Sequence, residues 1–422
     1  MNTAIVGVNW GDEGKGRMVD LLSGEYDYVV RYQGGNNAGH TVVNDKGEFK
    51  LNLLPSGIFR ENTINVMGSG MVVDLKHLYN EIADLRSKGI VITPENLKIS
   101  DKAVICMPYH VVQDGLEEGR LGDMKYGSTQ RGIAPVYGDK YLKKTMKMGD
   151  IIDGIDYSER LKSLVDYKNM IFKAYGAEEI SYDEMKEWLE KYGSFAGQFV
   201  TDTGKVLREA EKQGKKILFE AQLGALRDVD YGIYPFTSSS NSIAAYAPIG
   251  CGAPSLKVDS VVGIVKAYSS CVGEGAFVSE MFGEEAETLR KAGGEYGAAT
   301  GRPRRVGAFD IPATRYGVQV QGATEIALTK IDVLSIFDKI PVCTKYELNG
   351  KIIEDFPYPG LADACKSVIE YVPGWKCDIS HARKWDDLPK EAQDYINLIE
   401  ENIGCKITYV SVGAKREEYL VK

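Results

Sequence analysis

Short apolar runs that break into glycine-rich or polar loops alternate along the chain with stretches of helical periodicity. That rhythm predicts an α/β fold, a central, mainly parallel twisted sheet with crossover helices. Ala4 to Val8 is the first run, followed by a loop from Asn9 to Gly16 and an amphipathic start at Arg17 to Leu22. Tyr28 to Tyr32 opens into Gln33-Gly-Gly-Asn-Asn-Ala-Gly-His40, and Thr63 to Met67 opens into Gly68-Ser-Gly70. These three early strands are expected to share one edge. Lys215 to Phe219, Val261 to Ala267 and Glu325 to Leu328 supply further strands. Ser181-Tyr-Asp-Glu184 reads as a capping box before a helix ending near Gly193, and Thr203 to Gln213 as a helix stopped by Gly214. The region from about 100 to 200, richer in Lys, Tyr and Glu, reads as a mainly helical insertion in a single large domain spanning 1–422. Ligands of such sheets bind at the carboxyl ends of the strands.

Composition narrows the class. With 422 residues, 44% hydrophobic and 26% charged, the chain sits near globular averages, which excludes disorder, collagen and coiled coil. Its net charge of −9 argues against coating nucleic acid or an anionic membrane. No run of apolar residues is long enough to span a bilayer, and the start lacks a basic leader region. Seven scattered cysteines without CxxC pairs fit reduced, buried thiols and a cytoplasmic location. Cys377 with His381, and Cys106 with His110, have helical spacing but no second ligand pair at zinc spacing. The 46 glycines exceed the usual share of about 7% and direct attention to loops where backbone approaches a ligand closely.

Trp10-Gly-Asp-Glu-Gly-Lys-Gly16 lies between a strand and a helix, so its amides and the helix N-terminus suit a phosphate, with Lys15 as a point charge. It is not a Walker A sequence: Asn9 stands where that pattern needs its first glycine, and Gly16 where it needs Ser or Thr. Without that hydroxyl, magnesium needs another ligand, and Asp12 is the candidate. His40 ends the Gln33–His40 loop and is expected to face the same phosphates as a proton donor or charge stabiliser. Thr329-Lys-Ile-Asp332 resembles a guanine-reading tetrapeptide: a carboxylate accepts two parallel hydrogen bonds from guanine, and adenine offers no such donor pair. Glu295-Tyr-Gly-Ala-Ala-Thr-Gly-Arg-Pro-Arg-Arg305 sets three arginines in a glycine-rich stretch suited to clamping a carboxylate or phosphate. Lys140, Lys143, Lys144 and Lys147 form a second basic cluster. His77, His110 and His381 lack comparable context and read as structural.

Taken together and in order, Trp10 to Gly16, Asn37 to Thr41, Thr300 to Arg305 and Thr329 to Asp332 resemble the adenylosuccinate synthetase family, whose members use GTP to join inosine monophosphate (IMP) to aspartate. The resemblance covers nearly the whole chain, including Pro55-Ser-Gly-Ile58, Lys266-Ala-Tyr-Ser269, Pro373-Gly-Trp375 and Ser411-Val-Gly413. It implies Asp12 as base and His40 as acid, with Mg2+ held by Asp12 and the Gly39 carbonyl. It implies GTP contacts from Gly11, Glu13, Gly14, Lys15, Gly16, Arg17, Thr41, Arg304, Lys330, Ile331, Asp332, Ser411, Val412 and Gly413. IMP would meet Asp12, Lys15, Asn37, Ala38, Gly39, His40, Thr129, Gln222, Ser238 and Arg302, with Lys143 reaching across a homodimer. L-aspartate would meet Ala298, Ala299, Thr300, Gly301, Arg302 and Arg304.

Three positions depart from the common family pattern. Lys143 stands where many members have Arg and loses the bidentate fork; Phe219-Glu-Ala-Gln-Leu-Gly224 moves a glutamine by one place; and Ser238 replaces Thr while keeping the hydroxyl. Two rival readings are a GTP-binding switch, disfavoured by the missing Walker A hydroxyl, and a relative acting on a 2-amino purine deoxynucleotide.

Overall fold

The computed structural model describes residues 1–44, 47–296 and 303–422. Strand β1 (Asn2–Gly7) is buried at all six positions, as a strand covered on both faces must be. It lies inside a ten-stranded sheet whose other members, in chain order, are β2 (Tyr28–Arg31), β3 (Ile64–Met67), β4 (Leu97–Ser100), β5 (Val200–Thr201), β6 (Ile217–Gly224), β7 (Ser260–Lys266), β8 (Glu325–Thr329), β9 (Ile407–Ser411) and β10 (Tyr419–Val421). The spatial order is β10-β9-β8-β7-β1-β6-β2-β3-β4-β5. Every neighbouring pair is parallel except β9 with β10.

The expectation that the three early strands share an edge needs correction. β6 pairs with β1 through Asn2↔Ile217 and with β2 through Tyr28↔Ile217, so it separates them, and only β2 and β3 are neighbours. Periodicity identifies a strand but carries no information on which distant strand it joins. Here the eight-residue β6, buried at seven positions, is apolar enough to enter the middle of the sheet.

The helices that follow the early strands are α1 (Lys15–Leu22), α2 (Leu75–Ser87), α3 (Pro108–Leu121), α4 (Ile133–Leu142), α5 (Ser158–Tyr175), α6 (Tyr182–Gly197) and α7 (Thr203–Lys212). Four of them, α3 to α6, lie between the adjacent strands β4 and β5. The Ser181 side chain accepts from the Glu184 N–H at 3.3 Å and caps α6. The helix runs past Gly193, which faces Ile151, because a glycine in a packed interface needs no helix end. α7 stops at Gln213, and Gly214 takes φ +71°. Among the described residues no helix is long and apolar enough to cross a membrane.

Buried charge ties the helical region together. Lys168 on α5 pairs with Asp139 on α4 and donates to Gln113 Oε1 on α3 at 2.6 Å. His110 on α3 sits 3.0 Å from the same Asp139 Oδ2 through Nε2, while its Nδ1 accepts from the Met107 N–H at 2.9 Å. All three charged or titratable side chains are almost inaccessible, and an unpaired charge there would be costly. Burial pushes the His110 imidazole down to about 4, against the opposing pull of Asp139. A histidine depressed in the folded state contributes stability that is present above its unfolded value of about 6.5 and lost as pH falls towards about 4. His110→Gln is therefore expected to lower Tm at pH ~7.5 but to flatten the fall in Tm between pH ~7.5 and ~5. Thermal unfolding at the two pH values checks this, and an undiminished fall would mean that another group carries the acid sensitivity.

Candidate active site

Because nine strands of the sheet run in one direction, their carboxyl ends open on a single rim. The loop after β1, the loop after β2, the end of β6 and the segments after β8 and β9 all arrive there.

The loop after β1 needs left-handed backbone at Gly11 (φ +96°), Asp12 (φ +63°) and Gly14 (φ +100°). Two of the three positions are glycine, where that conformation is free of a Cβ penalty. Glu13 turns inward instead of outward: it is 3% exposed and accepts the N–H groups of Gly11 at 2.7 Å and Asn9 at 3.2 Å. Its other oxygen lies 2.6 Å from Lys15 Nζ, itself buried. The carboxylate of Glu13 thus braces the loop and orients Lys15. Asp12 is left outside, its side chain 41% exposed and Oδ2 2.6 Å from Arg304.

His40 opens the strand that pairs with Gly47–Leu51. Gly16 on α1 lies against it so closely that a Cβ there would come within 2.9 Å of His40 Cβ. This contact brings the imidazole to the phosphate loop although β6 separates the two parent strands. His40 Nδ1 is 2.6 Å from Glu220 Oε1 on β6, and Ser56 donates to the same carboxylate by its hydroxyl at 2.7 Å and its N–H at 2.8 Å. Burial lowers the His40 pKa and Glu220 opposes that shift. His40 Nε2 is buried and has no partner among the described residues, a state that calls for a ligand.

On the other side of β1, Thr329 donates from Oγ1 to the Glu13 carbonyl at 2.7 Å and so joins β8 to the phosphate loop. Lys330 follows in left-handed conformation (φ +60°), its ammonium on the Gly293 carbonyl at 2.7 Å and Glu295 Oε1 at 2.9 Å. Asp332, half-buried in the next turn, makes no ion pair among the described residues, and burial raises its carboxyl. Ile331 and Val412 are core residues, so only their backbones can meet a nucleotide. Arg17 reaches Ser411 Oγ and the carbonyls of Gly413, Lys415 and Glu418. Its guanidinium is a strut between α1 and the 411–418 loop.

Gln222 is fully buried. Its amide accepts from the Gly35 N–H at 3.1 Å and donates to the Gly35 and Ala38 carbonyls at 3.1 and 3.3 Å. A side chain at position 34 would collide with it, since a Cβ there falls 1.6 Å from Gln222 Oε1. Gln222 therefore shapes the loop that presents Asn37, Ala38 and the exposed Gly39. Ser238 lies 3.2 Å from the Ser240 hydroxyl. Thr41 and Thr129 are exposed, and Lys143 is exposed at the left-handed C-cap of α4. Ala298, Ala299, Thr300, Gly301 and Arg302 lie outside the described residues. Cys106 is buried with its thiol directed to the Arg131 carbonyl, and Cys377 is exposed.

Sequence reasoning did not single out Glu220, Glu295 or Lys266 as site residues. The available signal was a charge at the end of an apolar strand: Glu220 interrupts a run of hydrophobic residues, and Lys266 ends one.

A mainly parallel sheet whose carboxyl rim gathers a glycine-rich strand–loop–helix, a buried histidine and a Thr-Lys-Ile-Asp turn has the organisation of a nucleotide-using enzyme of the α/β class. A family model described as adenylosuccinate synthetase matches residues 4–420, and the chain belongs to that family, ligases that form a C–N bond. Among curated relatives, the adenylosuccinate synthetase of Caldanaerobacter subterraneus is 45% identical over 99% of this chain and 98% of its own. That of Exiguobacterium sibiricum is 43% identical over 100% and 98%. The fully ligated adenylosuccinate synthetase from Plasmodium falciparum superposes with a TM-score of 0.93 at 33% identity, covering 100% of this chain and 99% of that one. A cyanophage S-2L succinoaminodeoxyadenylate synthetase bound to dGMP and dATP, at 17% identity and a TM-score of 0.63 over 100% and 95% of the chains, shares the fold alone.

Replacing Glu220 by Gln keeps a group able to meet Ser56 but removes the anion that supports a proton on His40. The His40 pKa, read by NMR titration, is expected to fall below the wild-type value. An unchanged value would show that burial alone sets it.

Proposed function

We propose that the chain ligates L-aspartate to IMP at the expense of GTP, giving adenylosuccinate, GDP and phosphate. The observation that carries this reading is His40: its ring lies against Gly16, Nδ1 is held by Glu220, and Nε2 is buried at the phosphate loop without a partner among the described residues. Asp12, exposed at the mouth of the same loop, takes the proton from the inosine ring nitrogen. The 6-oxygen then attacks the γ-phosphorus, the O6–P bond forms, and the bond to GDP breaks. His40 donates a hydrogen bond from Nε2 to the oxygen on which charge develops. The aspartate amine next adds at C6 and the C6–O bond breaks with release of phosphate, a far better leaving group than oxide. Lys330 and Asp332 receive the guanine, and Arg304, with the arginine-bearing segment it follows, meets aspartate.

The Asp12 carboxylate and the Gly39 carbonyl, both at the accessible mouth, are hard oxygen donors of the kind Mg2+ takes alongside water and phosphate oxygens. Among the described residues no three His, Cys, Asp or Glu side chains converge into an all-protein cage, which suits that shared coordination. Mg2+ bound there supplies charge neutralisation to the transferring phosphoryl group. A homodimer fits the surface beside Lys143, where Tyr141 and Leu142 are 71% and 60% exposed and a second copy would cover them.

The test is near-ultraviolet absorbance during incubation with IMP, GTP, magnesium and aspartate, leaving out each in turn. A change that needs all four, and is abolished in a folded Asp12→Ala variant, is the expected result. GTP hydrolysis indifferent to aspartate would instead favour a switch, and Asp12→Ala activity within ~10-fold of wild type would remove Asp12 as base. Asp332→Asn is expected to narrow the preference for GTP over ATP, because an amide cannot accept both guanine N–H groups. Unaltered selectivity in kcat/KM would exclude Asp332 as the guanine reader.

A further inference from the structure

Among the described residues the most heavily coordinated charge is Glu295, which is 0% exposed. Its Oε1 receives the Tyr268 hydroxyl at 2.5 Å, Lys266 Nζ at 2.9 Å and Lys330 Nζ at 2.9 Å. Its Oε2 receives Arg304 Nη1 at 2.9 Å and Lys266 Nζ at 3.1 Å. The Glu295 carbonyl also accepts the Arg304 N–H at 2.9 Å. One carboxylate therefore gathers the end of β7, the residue after β8 and the segment before Arg305. Glu295 directly follows Gly294, the left-handed cap of the helix Gly283–Gly293.

Three cations converge on this one anion, and they would repel one another without it. Burial opposes ionisation of Glu295, yet Lys266, Lys330 and Tyr268 hold its carboxyl well below the usual range. Lys266 is inaccessible, but Lys330 and Arg304 are partly open, at 35% and 15% of their side chains. These two point towards opposite ends of the nucleotide site: Lys330 stands two residues from Asp332, and Arg304 Nη2 touches Asp12 at 2.6 Å.

We propose that Glu295 is a positioning residue that holds Lys330 at the purine-reading end and Arg304 at the reacting end in a single register, without itself touching substrate. The assignment rests on the GTP reading given above. It makes the two ends energetically coupled: a change at Lys330 is felt at the chemistry through Glu295.

The experiment compares kcat and KM for GTP, and the GTP Kd by calorimetry, in wild type, Glu295→Gln, Glu295→Asp, Lys330→Met and the Lys330→Met/Glu295→Gln pair. Glu295→Gln is expected to raise KM and Kd for GTP by ~10-fold and to lower kcat by ~100-fold. Glu295→Asp, which keeps the charge on a shorter arm, should recover part of both. Lys330→Met should lower kcat in the wild-type background and add little once Glu295 is neutralised. A role confined to folding would lower Tm and the active fraction while leaving KM and Kd unmoved, and that result overturns the proposal. Should Glu295→Gln fail to fold, a folded Glu295→Asp with KM and kcat within ~2-fold of wild type overturns it equally. Wild type that binds GTP but forms no aspartate-dependent product would fail the reaction reading instead, and the ratio of GTP Kd values between wild type and the Glu295 variants would still decide this one.

Discussion

A sheet covered on both faces has nowhere to place polar chemistry except at the ends of its strands. In this chain nine strands point the same way, so every loop that follows one of them must emerge on one rim. That constraint assembles the site. Asp12, His40, Lys330 and Ser411 come from four stretches of sequence spanning almost the whole chain, yet each stretch lies at or beyond the carboxyl end of a strand threaded into one layer. The crowding that results is severe enough that Gly16 and Gly34 leave no room for a Cβ beside His40 and Gln222.

The rim also concentrates buried charge, and the structure handles it by one repeated device. Glu13, Glu220 and Glu295 are each almost or completely inaccessible, and each satisfies its carboxylate with several donors, those of Glu13 from its own loop and those of the other two from separate segments. Glu13 holds Lys15 and the loop amides, Glu220 holds His40 and Ser56, and Glu295 holds Lys266, Lys330 and Arg304. An inaccessible carboxylate with no partners would destabilise the fold; one with this many serves as a fixed point against which functional cations and an imidazole are aimed. The residues that face solvent, Asp12 above all, are thus oriented by residues that do not.

Away from the rim the same physics is used for architecture. His110, Asp139 and Lys168 lock three helices by a buried cluster, and the α4 they secure ends at Lys143. Arg416 grips Asp20 through both carboxylate oxygens at 2.6 to 2.8 Å, and Arg17 takes the carbonyls of the same loop, so the segment after β9 is tied to α1. The loop after β1 and the segment after β9 consequently share a helix as a common support.

By itself the sequence determined six of the ten strands of the sheet and marked a glycine-rich loop and a Thr-Lys-Ile-Asp tetrapeptide as chemically apt, because each is encoded locally: an apolar run, a glycine pattern, a carboxylate at a fixed offset from a lysine. It also identified Asp12 and His40 as chemically apt residues at loop positions. Only the tertiary structure decided that β6 enters between β1 and β2, that Glu13 and Arg17 turn away to brace the loops, and that Gln222 shapes the 33–40 turn. The same holds for Glu220 and Glu295. Each of these depends on partners roughly 30 to 400 residues away or on which way a side chain leaves its backbone. A pattern read along one dimension carries the period of an element but not the pairing of charges that meet only when the sheet closes around them.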